Sequence, residues 1–105
     1  MSTIDPFGSV LELAASFRSG GPGPRDAIEL ALARAETCEG ALNGFTLRLP
    51  QIAREAADKA SRELAAGFDR GPFHGVPVSV KDLIDMGGQV TGYCTALALR
   101  SGPQP

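Results

Sequence analysis

The sequence predicts an α/β chain, from three segments of helical period and two of strand period. Apolar residues recur three or four positions apart over 10–17, 28–38 and 52–64, and alternate with polar ones over 45–49 and 76–80. A chain of 105 residues that is 43% hydrophobic and 21% charged has the composition of a globular sequence and the length of one domain.

Ser9, followed three residues later by Glu12, is a capping-box pattern, and Val10, Leu13, Ala14 and Phe17 share one face. Together they predict a helix over 9–19. The run "GGPGP" at 20–24 stops it, because glycine accepts a left-handed cap and proline cannot continue the ladder. Pro24 suits the first turn of a second helix, where its missing N–H costs nothing, and Asp26 places negative charge near the positive end of the dipole. Ile28, Ala31, Leu32, Ala35 and Cys38 form its apolar stripe, and Gly40 is expected to close it.

Phe45, Leu47 and Leu49 alternate with Thr46 and Arg48 and predict a short strand over 43–49. An alanine-rich helix is expected over 51–66, with Ile52, Ala56, Ala60 and Leu64 inward. Its charges, Arg54, Glu55, Asp58, Lys59, Arg62 and Glu63, are expected on a solvated face, Glu55 pairing with Lys59 at i,i+4. Val76, Val78 and Val80 then alternate with Pro77, Ser79 and Lys81, which predicts a second strand. Pro77 has no N–H to give a ladder, so this strand is expected either at a sheet edge or with its ladder unpaired at that point. Beyond Asp85 the glycines at 87, 88 and 92 mark turns without a further periodic pattern.

Net charge is −2, with both signs interspersed. There is no basic stripe to neutralise phosphates, which excludes nucleic acid as a partner, and no polybasic tail for an anionic membrane. The first residues lack the basic and apolar regions of a signal peptide and no window has the length to span a bilayer, so a cytoplasmic setting is expected. Cys38 and Cys94 stand far apart, with no histidine at ligand spacing. Neither a zinc site nor a disulfide framework follows, reduced thiols are expected, and no metal or cofactor is implied. Cys38 falls on the apolar helical stripe. Cys94 lies near the motif described next, and a cysteine-hydrolase reading would leave it His74 as its base.

Ser79 and Lys81 lie on one side of the second strand at i and i+2, with Asp82 and Asp85 just beyond. Spacing alone favours a plain reading, in which Lys81 guards an exposed strand edge. A lysine whose amine is neutral also serves as general base for a serine nucleophile. Ser79 is poorly placed for that, because side chains at i and i+2 project in parallel.

The string "GPFHGVPVSVKDLID" at 71–85, followed by "GGQVT" at 87–91, resembles the lysine-bearing segment of the amidase signature family. The usual form there is close to G-P-L-H-G-[IV]-P-[VI]-x-[VL]-K-D-x-[IF]-D. Upstream, "LNGFT" at 42–46 resembles the family's L-N-A-[FY], and the likeness covers almost the whole chain. It implies that residues 1–105 form the N-terminal part of an amidase domain. They would supply the helices and first strands of an α/β/α fold with a mixed sheet. It further implies hydrolysis or transfer at a carboxamide C–N bond by a serine, a cis-bonded serine and a lysine, acting on a small-molecule amide without cofactor.

Residue by residue, the resemblance makes Lys81 that catalytic lysine. His74 matches the family's histidine, which is not its base, and is expected to pair locally in a turn. Asp82 and Asp85 are expected to orient the lysine or cap the following loop. In the family both serines lie well beyond the lysine, in a stretch like G-G-S-S-G-G-S that this sequence does not contain. The chain alone is therefore expected to be inactive, its apolar faces covered by a partner chain or the rest of the enzyme. "KDLID" is closer to a general amidase than to the A-type component of the tRNA-dependent amidotransferases, where "KDN" is common. The alternatives are a fragment of that amidotransferase component, and a non-catalytic remnant acting as a small interaction protein.

Overall fold

Ser9 has extended backbone, and its hydroxyl accepts the Glu12 N–H at 3.1 Å to start helix α1 (Val10–Ser19). The cap expected from this pair satisfies one of the N–H groups that a helix start leaves free. Gly20 ends the helix at φ 83°, a left-handed conformation that costs glycine little. Ser9→Ala is expected to lower stability by about 1 kcal/mol, read as a lower urea midpoint in far-ultraviolet circular dichroism. An unchanged midpoint would mean that water serves this N–H equally well.

The computed structural model describes residues 4–6, 8–42, 44–45, 47–82, 84–91, 103 and 105. Besides α1 it contains α2 (Pro24–Leu42) and α3 (Pro50–Ala65), which pack on each other. Pro24 takes the first position of α2 and the Gly23 N–H donates to Asp26 Oδ2 at 2.8 Å. Asp26 thus caps the helix as well as facing its dipole.

Arg25 reaches Asp58 and Glu29 reaches Arg54, a pairing in which α2 and α3 run in opposite directions. Glu29 accepts Arg54 Nε at 2.6 Å and Arg25 Nε at 2.9 Å, while Arg25 Nη1 donates to Asp58 Oδ2 at 2.8 Å. The two guanidiniums, Arg54 first, hold the Glu29 carboxyl below its ordinary range.

The inward face of α3 differs in part from the expected one. Ala60 is buried and Leu64 half-buried, as expected, but Ala57 is buried in place of Ile52 and Ala56, which are exposed. The reason is electrostatic as well as apolar: the helix is rotated so that the half-exposed Arg54 and Asp58 meet α2, while Glu55, Lys59 and Arg62 lie on the solvated face that periodicity suggested. Glu55 accepts from Gln51 one turn earlier, at 2.9 Å, in place of the expected Lys59 pair. Gly40 does not close α2, which runs on to Leu42. It lacks the positive φ that makes a glycine a terminator.

The expected sheet is the larger difference, since no strand forms among the described residues. Residues 47–49 form the connector between α2 and α3, where Arg48 pairs with Glu36 and Leu49 precedes α3. Residues 76–81 run without helix or ladder. Alternation specifies an extended backbone with two unlike faces, but a strand also needs a neighbour for its N–H and C=O groups. None is supplied by the described residues.

Among the described residues Ala14, Pro24, Ala27, Ala57 and Ala60 are buried, whereas Phe73 is 72% and Val78 81% exposed. The radius of gyration is 15.5 Å, against about 13 Å for a compact domain of roughly this length. Small side chains let the helices approach closely but bury little area each. Helix packing is therefore joined by a surface of large apolar groups without cover.

Candidate functional site

The segment bearing Lys81 is held to the helices through the loop that precedes it. Asp69 starts this loop with an Asx turn, its Oδ1 accepting the Gly71 N–H at 2.8 Å. From the last turn of α1, Arg18 grips the same carboxylate with two bonds, Nε to Oδ2 at 2.8 Å and Nη2 to Oδ1 at 2.7 Å. Arg18 also donates to the carbonyls of Gly71 and Ala14. The guanidinium thus joins the end of α1 to the start of the motif in a bidentate geometry that lysine lacks.

The Arg18 bonds first, and the Gly71 N–H second, lower the Asp69 pKa from the ordinary 3.8 to about 2. A carboxyl whose folded value is depressed stabilises the fold fully above its ordinary value and loses that contribution as pH falls through the folded value. Acid titration is therefore expected to loosen the loop between pH 3.8 and about 2. Melting curves should fall over this window, while Asp69→Asn should be less stable at pH 6 and flatter on acidification. Parallel curves for the two proteins would refute the assignment.

Arg70 extends along the other side, donating to Glu63 Oε2 of α3 from Nε at 3.1 Å and Nη2 at 2.7 Å. Its guanidinium also lies 4.8 Å from the Phe68 ring centre, within cation–π range. His74 is buried, and its Nδ1 accepts the Arg70 N–H at 2.9 Å, so the histidine pairs locally, as expected of a turn residue. Gly75 follows at φ 84°, against Pro24 of α2 and Phe17 of α1. The motif turn thus touches all three helices.

Lys81 comes next and is exposed. Its carbonyl accepts the Ile84 N–H at 2.9 Å, which turns the chain immediately after it. Ser79 is exposed two residues earlier, and no hydrogen bond or ion pair joins the Lys81 ammonium to another side chain among the described residues. Asp85 closes the loop beyond: its Oδ1 accepts from the hydroxyl of Thr91 at 2.6 Å, and Thr91 is 3% exposed. Asp85 therefore caps the loop, one of the two roles expected of it. A hollow of about 470 Å³ lies beside Arg18, Asp69 and Pro72, and a groove of about 760 Å³ lies between α2, the connector and α3. Lys81 lines neither. Cys38 is a half-buried free thiol of α2, and Cys94 lies outside the described residues.

The anchors Arg18, Glu63 and Asp69 were not singled out by sequence reasoning. Local signals existed for two of them: Asp69 stands two residues before Gly71, an Asx-turn spacing, and Arg18 lies in the basic last turn of a helix. Their partners are 51 and 53 residues apart, which no local pattern reveals.

The Amidase family matches residues 26–103, a span that includes all but the first two residues of α2, together with α3, the motif turn and Lys81. The chain belongs to the Amidase family. A Mycobacterium tuberculosis protein named AmiC is 39% identical over 83 residues, covering 79% of this chain and 16% of that protein. The acylamidase of Rhodococcus erythropolis is 34% identical over 86 residues, 81% of this chain and 18% of its own length. The A-type component of the glutamyl-tRNA(Gln) amidotransferase of Lachnospira eligens is 34% identical over 91 residues, 87% of this chain and 18% of its own. This amidase-family chain thus spans less than a fifth of these relatives. No solved structure matches it.

Proposed function

We propose that this chain supplies the general base of an amide-hydrolysing enzyme, with Lys81 as that base. The observation that carries the reading is the family match through the lysine motif, together with a turn whose every anchor serves to fix the segment leading to Lys81. In a complete site the neutral amine would take a proton from a cis-bonded serine, which takes one from the nucleophilic serine attacking the carboxamide carbon. Both serines, and the N–H groups that stabilise the oxyanion, would come from sequence that the family carries beyond this segment. The 105-residue chain is proposed to be inert alone, acting on small-molecule amides only when joined to those groups.

The same reading extends to fold and setting. Residues 76–80 would become a strand once another strand pairs with them, which gives the α/β/α architecture and covers Val78 and Val80. No described helix is long and apolar enough to cross a membrane; a cytoplasmic setting is part of the proposal. The acylamidase and the amidotransferase component match this chain with equal identity, so "KDLID" is what favours a general amidase.

The test is a chimera in which this chain replaces the matching segment of the Rhodococcus acylamidase. Amide hydrolysis that depends on Lys81 is the expected result. A folded, active chimera indifferent to Lys81 would overturn the reading. The exposed apolar side chains also support a second reading, a non-catalytic interaction protein. A chimera that folds without activity, while the free chain melts cooperatively as a monomer, would favour that one.

A further inference from the structure

The His74 side chain is 3% exposed, and its two ring nitrogens face different elements. Nδ1 accepts the backbone N–H of Arg70 at 2.9 Å. A nitrogen that accepts such a bond carries no proton, so the neutral ring holds its hydrogen on Nε2. Nε2 in turn points at Glu63 Oε1 of α3 from 3.6 Å, too far for a hydrogen bond, and has no other partner among the described residues. The second oxygen of Glu63 is engaged by the Arg70 side chain. Arg70 is therefore held twice, its main chain by His74 and its guanidinium by Glu63.

We propose that His74 is a proton-operated latch on the turn that positions the Lys81 segment. Neutral, the ring presents a bare Nδ1 and keeps the Arg70 N–H bonded. Protonation at Nδ1 sets two N–H groups against each other, and the bond is lost. The imidazolium then gains from closing the 3.6 Å gap to Glu63 as a charge-assisted bond. Acidification thus moves the ring from the Arg70 main chain toward α3.

The charged groups around the ring are of both signs. Glu63 faces it from α3, with Lys59 beside that carboxylate. Asp69 and Arg70 face it from its own loop, and Arg18 of α1 sits on Asp69. From α2 the contact with the turn is apolar, Pro24 against Gly75. The turn itself rests on two main-chain bonds, His74 N–H to the Gly71 carbonyl at 3.0 Å and Val76 N–H to that of Phe73 at 3.1 Å. Releasing Arg70 frees the residue from which these follow, and Lys81 lies within the same run of chain. The latch concerns the turn itself, and stands whether or not Lys81 is catalytic.

The test is a proton–nitrogen NMR titration of the full 105-residue chain from pH 8 to pH 5, the range in which imidazoles change charge. At pH 8 the ring should show protonated Nε2 and bare Nδ1. Protection of the Arg70 amide, corrected for intrinsic exchange, should fall roughly five-fold, the worth of one hydrogen bond, with the same midpoint as ring protonation. His74→Asn presents an amide oxygen near the Nδ1 position and does not titrate, so its Arg70 protection should be flat with pH. A proton on Nδ1 at pH 8, an unprotected Arg70 amide at pH 8, or an equal fall in His74→Asn would each overturn the latch. Should the asparagine fail to hold the amide, the wild-type midpoints decide, and separate midpoints would overturn it.

Discussion

Lys81→Met, made in the acylamidase chimera, is expected to lower amide hydrolysis by about 10⁴-fold or more, the scale on which a catalytic unit fails when one member is removed. The side chain is exposed and its ammonium holds no other group among the described residues, so the substitution removes no pairing among them. A large loss with unchanged folding would then be chemical. Lys81→Arg separates a base from a mere cation: guanidinium keeps the charge but is not deprotonated in proteins, and it should be as inactive as methionine. Ser79→Ala should retain activity, because parallel side chains at i and i+2 do not pass a proton to an attacking group. If methionine or arginine retained activity within tenfold, Lys81 would be an edge charge of the kind that spacing alone suggested.

What could be read from sequence divides along the range of the forces involved. The α1 start was legible because Ser9 and Glu12 settle it within one turn, and Gly20 settles its end. The face of α3 was legible only in part, because period alone leaves a choice between neighbouring stripes, and that choice is made by Glu29 and Asp58 in pairs that cross between helices. The valine alternation at 76–80 predicts a strand. It describes a backbone ready to pair, while pairing itself depends on a second segment. At the candidate site a motif points to Lys81, yet no local pattern points to what holds the motif to the helices. Arg18 and Asp69 are far apart in the chain, and either one in isolation reads as an ordinary surface charge.

Gly75→Ala is expected to cost about 2–5 kcal/mol, the sum of two separate effects. At φ 84° an L-residue other than glycine meets its own carbonyl, which costs about 1–2 kcal/mol. A Cβ at this place would also lie 2.7 Å from Pro24 Cγ and 3.3 Å from Phe17 Cε2, and such crowding costs about 1–3 kcal/mol. Neither neighbour yields readily, since Pro24 is a closed ring in the first turn of α2 and Phe17 belongs to α1. A double-mutant cycle tests this, because Pro24→Ala removes Cγ but leaves Cβ at 3.2 Å and Phe17 in place, and so should recover part of the crowding and none of the backbone cost. Urea unfolding of the four proteins measures this coupling, and strict additivity would mean that the turn does not rest on Pro24. In the acylamidase chimera the same Gly75→Ala should lower activity with Lys81 untouched, because displacing the turn from α1 and α2 displaces the segment that carries the lysine.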